Sequence, residues 1–165
     1  MKHLYLVVAT LISALTYSQK PDRFEAVESS AGAPIEIIKS SEYNIGFSGD
    51  ESILEHIIWE VEDNTLRIMS DGGAGNYKDI KITVYAPSLS VIGISNGGSV
   101  TMDEKFSRMK SFVVSAEDGA SVDLSNIDFN TLVVTSSKDS EVLYKSANTF
   151  VRANSNSGLV KGMQK

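Results

Sequence analysis

Ser90-Val91-Ile92-Gly93-Ile94-Ser95, followed by Ser99-Val100-Thr101-Met102, is met again with changed residues three times before the chain ends. The second copy runs Ser111-Phe112-Val113-Val114-Ser115 and Ser121-Val122-Asp123-Leu124. The third runs Thr131-Leu132-Val133-Val134-Thr135 and Glu141-Val142-Leu143-Tyr144, and the fourth Thr149-Phe150-Val151-Arg152-Ala153 and Leu159-Val160-Lys161. Each unit reads as two short strands split by a small polar turn. The second-strand valines Val100, Val122, Val142 and Val160 lie 22, 20 and 18 residues apart. Strand side chains alternate sides with period two, so an even step returns the same face to the interior.

The turns inside the units are Asn96-Gly97-Gly98, Glu117-Asp118-Gly119-Ala120, Ser136-Ser137-Lys138-Asp139-Ser140 and a segment holding Asn154, Asn156 and Gly158. Glycine, Asn, Asp and Ser are the residues that sharp corners require. A coil of about 20 residues with short strands cannot bury its apolar face alone, and stacking on a neighbour covers it. The pattern predicts an all-β, right-handed β-helix-like solenoid with about 20 residues per rung in the C-terminal half. A β-sandwich is the alternative, since it too has many short strands at regular spacing.

Upstream of the repeat, period-two alternation predicts strands at Phe24 to Ser29, Pro34 to Lys39, Tyr43 to Phe47 and Asp79 to Tyr85. His56 to Glu62 and Thr65 to Met69 flank the pair Asp63-Asn64 and read as a hairpin. Ile53, Leu54, Ile57 and Ile58 have helix-like spacing, but Ile57, Trp59 and Val61 also alternate, so a short helical step at Glu51 to Glu55 is expected before the strand. Asp71-Gly72-Gly73-Ala74-Gly75-Asn76 is a loop.

The first residues, Met1-Lys2-His3 and then an apolar run from Leu4 to Leu15, have the anatomy of a secretory leader. Small residues at Thr16 and Ser18 suit cleavage after Ser18, and the run is shorter than the roughly 20 residues a membrane-spanning helix needs. The expected organisation is a leader over 1–18, a polar lead-in over 19–23 and one β-solenoid domain over 24–165, with no membrane span left after processing. The 165 residues contain no cysteine. Lipid attachment through cysteine and disulfide bonding are therefore both excluded, and burial and strand pairing must hold the fold. Without residues 1–18 the chain has 14 basic and 21 acidic residues, a net charge of −7. With no Lys/Arg stripe, nucleic acid is not an expected partner.

Several motifs could carry chemistry. Gly93-Ile94-Ser95-Asn96-Gly97 matches the Gly-x-Ser-x-Gly elbow of hydrolases, which needs a helix after the serine. Here Ser99 to Met102 is another strand, and His56, the one histidine beyond the leader, lies upstream of Ser95, so a plain turn is expected. One histidine without cysteine is a poor start for a zinc site, and a structural strand histidine is expected. Asp118, Asp123, Asp128 and Asp139 could pair for glycoside cleavage or hold calcium, but no spacing brings two of them together, and solvated turn residues are expected. The Gly72 to Gly75 loop lacks the Lys-Ser/Thr ending of a phosphate cradle. No catalytic residue, metal ligand or cofactor is assigned.

Among the aromatics, Phe112, Leu132 and Phe150 occupy matching repeat slots and are expected to stack inside the core. Tyr77 and Tyr85 are the freer pair and the candidate ligand surface.

Three stretches carry a family resemblance: Phe24-Glu-Ala-Val-Glu-Ser-Ser-Ala-Gly-Ala-Pro-Ile-Glu-Ile-Ile38, Asp63-Asn64-Thr65-Leu66-Arg67-Ile68, and Ala86-Pro87-Ser88-Leu89 with the Ile94-Ser95-Asn96-Gly97-Gly98-Ser99-Val100 turn. They resemble the DUF2807 family of auto-transporter adhesin head GIN domains, found in exported proteins of Bacteroidetes, over roughly Phe24 to Gly162. The turn Ser136 to Ser140 departs from that family's usual Ser-Gly-Ser-Gly-Asp. The resemblance implies a right-handed β-helix-like fold at the cell envelope and transfers no functional residue. The expected function is an exported, non-catalytic envelope domain, an adhesin or binding module acting through a repetitive β-surface. It would sit in the periplasm, on the outer-membrane surface or outside the cell. Its partner would be an envelope protein or glycan, or a second copy through the solenoid end. A carbohydrate-active lyase or hydrolase and a structural spacer are the alternatives.

Overall fold

The computed structural model describes residues 15–73, 75–137, 139–155 and 158–163. Its strands belong to one hydrogen-bonded sheet of 13 strands that curls around a single apolar core, rather than to two separate sheets. In chain order they are β1 (Leu15–Gln19), β2 (Ala26–Ser29), β3 (Pro34–Lys39), β4 (Asn44–Gly49), β5 (Ile57–Glu62), β6 (Thr65–Ser70) and β7 (Lys81–Ala86). Then follow β8 (Val91–Ile94), β9 (Ser99–Met102), β10 (Met109–Ala116), β11 (Ser121–Ser136), β12 (Glu141–Ser155) and β13 (Leu159–Gly162). One turn of helix, α1 (Glu51–Leu54), is capped by Asp50, whose Oδ1 accepts from the Ser52 amide at 2.9 Å.

Two parallel ladders organise the sheet. In the first, Leu66, Val27, Ile92, Val114 and Val134 follow one another across β6, β2, β8, β10 and β11, and all five are buried. In the second, Ile82, Ile35, Val100, Val122, Val142 and Val160 follow across β7, β3, β9, β11, β12 and β13. The evenly spaced valines are thus direct neighbours, as their period requires. The strands upstream of the repeat join the same ladders. Val27 sits beside Ile92 and Ile35 beside Val100, although the intervening chain has no fixed period.

The two strands of a unit are separate, as expected, but the later units run into one another without a break. Glu117 to Ala120 is a turn, but the second strand of that unit runs on into the first strand of the next as the single 16-residue β11. Its buried side changes parity along the way, from Val122 and Leu124 to Ile127 and Phe129, then to Leu132 and Val134. A register shift between Leu124 and Asp128 marks the first change. Such a bulge bends a strand without a turn, so Ile127 and Phe129 close the interior on a third side. In the preceding unit, between Met102 and Met109, Phe106 enters the core from a short 3-10 turn at Glu104–Phe106.

The corners rely on left-handed backbone at Asn96, Asp118 and Asp139, with φ of 56°, 53° and 65°. Asn and Asp tolerate that region better than most residues. The corners touch: the Gly97 amide donates to the Asp118 carbonyl at 2.9 Å, and the Asp118 amide to Ser137 Oγ at 3.0 Å. A Cβ on Gly32 would lie 2.9 Å from the Asn96 carbonyl oxygen, so the corner before them admits only glycine. The hairpin expected at Asp63-Asn64 is present, with φ of 50° and 60° at the two loop residues, the mirror-image turn that fits strand twist.

The core stack of Phe112, Leu132 and Phe150 is correct in register and wrong at its end. Phe112 and Leu132 are fully buried, whereas Phe150 is 40% exposed, because β12 from Thr149 onward has β11 on one side and no strand outside it among the described residues. Phe150 instead stacks on Tyr144, ring centroids 5.3 Å apart.

Residues 1–14 of the expected leader lie outside the described residues, and its last four form most of β1, antiparallel to β4. Among the described residues, no helix is long and apolar enough to cross a membrane.

Candidate functional site

The outer face of the first ladder carries an unusual row. Ala26, Val91, Val113, Val133 and Val151 are register partners across β2, β8, β10, β11 and β12. They alternate with the buried residues and therefore point outward. Val113 is 37% and Val151 45% exposed. With strands about 4.8 Å apart, five of them make an apolar stripe on the order of 20 Å long. Thr65 on β6 extends the row at Ala26, and Ser111, Thr131 and Thr149 line one flank.

The other flank is Arg67, Glu28, Gly93, Ser115 and Thr135, again register partners in that order. Gly93 lacks a side chain in the middle of this line, and the face dips there. The depression encloses about 320 Å³ and is bordered by Glu28, Arg67, Ser95, Ser115 and Glu117. A Cβ on Gly93 would come within 3.3 Å of Glu28 Cγ. Arg67 is held over one end by ion pairs with Glu62 and, at 3.6 Å, with Glu28. The hydrogen bond to Glu62, reinforced by both carboxylate charges, raises the Arg67 pKa and keeps the guanidinium charged. Ser115 Oγ donates to Glu117 Oε1 at 3.2 Å at the other end.

The outer face of the second ladder is different in kind. Glu36, Thr101, Asp123, Leu143 and Lys161 form one of its rows and Ser99, Ser121, Glu141 and Leu159 the next. Lys81 pairs with Glu36 at 2.6 Å. This face is charged and mixed, the usual dress of a solvated sheet.

The residues singled out in the sequence do not converge. Tyr77 lies on a short 3-10 turn at Tyr77–Asp79, packed against the core, and its hydroxyl donates to the Gly73 carbonyl at 2.9 Å. Tyr85 is half-buried on β7, between Ile38 of β3 and Asn44 of β4. Neither borders the Gly93 depression. His56 packs over the Gly73 backbone, with Nδ1 3.0 Å from Asp71. Asp71 is held below the usual carboxylate range chiefly by the Gly73 amide and then by His56. Asp118 and Asp139 stand at successive corners, Asp123 on the second ladder, and Asp128 at the bulge, bonded to Lys145 at 2.8 Å and to Ser146. The Gly93-to-Gly97 motif is a strand-to-strand turn, closed by the Gly98 amide on the Ser95 carbonyl.

The outward row went unread in the sequence although a signal was there. Val91, Val113, Val133 and Val151 repeat at the same 22, 20 and 18 residues as the core valines. The first strand of each unit is apolar at both parities, which marks a strand with two apolar faces.

Comparison with known proteins agrees with this architecture. A search of curated proteins finds no match. Among solved structures, a "putative adhesin" from Bacteroides fragilis superposes with a TM-score of 0.72 at 22% identity, over 83% of this chain and 65% of that one. A "putative adhesin" from Parabacteroides merdae gives 0.67 at 14% identity, over 84% and 57%. A "putative lipid binding protein" from Parabacteroides distasonis gives 0.62 at 18%, over 81% and 58%. The chain thus spans less than two thirds of each, and at these identities the likeness is one of fold. The family model described as "putative auto-transporter adhesin, head GIN domain" matches residues 23–161, the ladders and both outer faces included, and the chain belongs to that family, DUF2807.

Proposed function

We propose that this protein is a non-catalytic, adhesin-like binding module of the cell envelope, exported with removal of residues 1–18, whose stacked units are the coils of a right-handed β-solenoid. It grips an extended segment of another envelope protein along the valine row of the first ladder. The observation that carries this reading is the row itself: one outer face presents five register-partnered apolar residues beside a polar depression, whereas the apolar residues of the other, Leu143 and Leu159, stand among Glu36, Thr101, Asp123, Glu141 and Lys161. A soluble protein that keeps an apolar row in contact with water has a use for it, since burying each exposed valine against a partner is worth roughly 1.5 kcal/mol. The row has no aromatic side chain on which a sugar ring would stack, which favours protein over glycan. The Glu28–Arg67 end and the Ser115–Glu117 end of the depression offer both charges to polar groups flanking the bound segment.

The test is binding of the chain from Gln19 to purified envelope proteins, with envelope glycans in parallel. Val113→Lys is expected to weaken the protein interaction by about tenfold or more, while Thr101→Lys on the opposite face leaves it unchanged. Binding indifferent to Val113→Lys overturns the assignment of the face. Turnover of a polysaccharide, abolished by changing one acid, overturns the non-catalytic reading.

A further inference from the structure

Edges decide what a curled open sheet meets, because an edge strand presents unpaired N–H and C=O groups to any strand that comes near. Among the described residues three edges end the sheet once β1 is set aside. The β5 edge carries exposed Glu60 and Glu62. The edge made by β12 and β13 carries Lys145, Arg152 and Lys161. Charges of this kind are how natural sheets discourage edge pairing. The third edge, β4, reads Asn44-Ile45-Gly46-Phe47-Ser48-Gly49 and carries no charge and no proline. Ile45 and Phe47 are buried in the core, and the residues facing out are small.

In the structure a strand is seated on that edge. β1 pairs with it antiparallel over five residues, Leu15 opposite Gly49 through to Gln19 opposite Ile45. Of those five residues, cleavage after Ser18 leaves only Gln19, whose side chain is exposed. The mature chain then has an uncharged edge on which, as β1 shows, an antiparallel strand can be seated.

We propose that processing after Ser18 uncovers β4, and that β4 of a second copy takes the place of β1, giving a two-fold dimer. Two arguments select a second copy. An edge that pairs with its own copy about a two-fold axis must do so antiparallel, the sense in which β4 already binds β1. The alternation is also self-complementary: with Phe47 opposite Phe47 of the other copy, Gly46 lies opposite Ser48 and, with the new N-terminal Gln19 displaced from its place beside Ile45, Ile45 lies opposite Gly49. Inward residues then meet inward residues, and the two cores run together. The inference rests on the processing step proposed above and is independent of what the valine row binds. In a chain that retains them, residues 15–18 cover the edge.

Two measurements test it separately. The mass of the protein recovered after export reports processing, and a chain that retains residues 15–18 overturns the uncovering step. Light scattering reports assembly: the chain starting at Gln19 is expected to have twice the mass of one copy, and a chain starting at Leu15 the mass of one. Asn44→Lys with Ser48→Lys, both outward-facing, is expected to return the Gln19 chain to a monomer with its thermal unfolding retained, and Ser48→Lys alone to weaken the dimer. A monomeric Gln19 chain overturns the proposal. So does a dimer that withstands these lysines, or one that is lost on Phe150→Lys instead, which would place the contact at the β12 end.

Discussion

Val122 stands directly opposite Val100 on the next parallel strand, and both are buried. The contact is repeated upward by Val142, so the Val122 side chain is packed between two other valines. Truncating the middle one leaves a cavity that its neighbours, fixed by their own ladders, cannot fill. Val122→Ala is expected to lower the unfolding free energy by about 2 kcal/mol, from the two lost methyl groups and the cavity. Val133→Ala, on the outward row of the same strand, is expected to cost less than about 0.5 kcal/mol. Urea titrations of the two variants side by side check the difference, and equal losses would contradict the assignment of faces.

The corner at Asp118 separates backbone strain from side-chain contact. Its φ of 53° is left-handed, and its side chain is exposed. A β-branched residue there meets the full steric penalty, so Asp118→Val is expected to destabilise by roughly 1–2 kcal/mol. Asp118→Gly, which meets none, is expected to be neutral or stabilising by less than about 1 kcal/mol. If the glycine variant is instead the less stable one, the aspartate side chain holds the corner and the strain argument fails.

These two positions also show how far the sequence could be read. The even spacing of Val100, Val122, Val142 and Val160 was enough to stack them, because period and face are linked by strand geometry alone. The Asp63-Asn64 turn and the helical step before β5 were equally local. What could not be read is non-local pairing without a period. Nothing in Val27 or Ile35 announces Ile92 and Val100 as neighbours, and the antiparallel additions of β4 to β7 and of β1 to β4 obey no repeat. The continuity of β11 was hidden for a different reason. Ser125 and Asn126 are residue types that suit a turn as well as a strand, and here a bulge leaves them outside while Ile127 goes in. The distinctive surface of the candidate site bears none of the residue types that do chemistry, such as Tyr77 and His56: it is made of valine and a missing side chain.

Acid should weaken the fold through the bulge. Asp128 is held below the usual carboxylate range by its hydrogen bond to Lys145 and then by that to Ser146. A carboxyl whose pKa is lower in the folded chain contributes stability above the unfolded value, near 3.9, and that contribution is lost as pH falls through the folded value. Asp50 and Asp71 are shifted the same way, by Ser52 and by the Gly73 amide. The urea midpoint is therefore expected to fall below about pH 4. Asp128→Asn should be less stable than the parent at pH 6 and should approach it at the acid end. A constant gap between the two at all pH values would show that the carboxylate charge at 128 does not matter.

Gly93 provides the sharpest separation of function from folding. Its position is outward, its φ is not left-handed, and the nearest atom to an added Cβ is Cγ of Glu28, the movable part of an exposed side chain. A larger residue should therefore be accommodated by a small rotation of Glu28, and Gly93→Val, which also suits a strand, should change stability by less than about 1 kcal/mol. The same substitution fills the floor of the depression and extends the apolar surface beyond the valine row. If the bound segment lays a polar group there, its affinity drops by about tenfold, because that group is then buried without a partner. If the segment follows only the valine row, affinity is unchanged or rises with the added apolar contact. Calorimetric titration of Gly93→Val beside Val113→Lys distinguishes a ligand read by row and depression together from one read by the row alone.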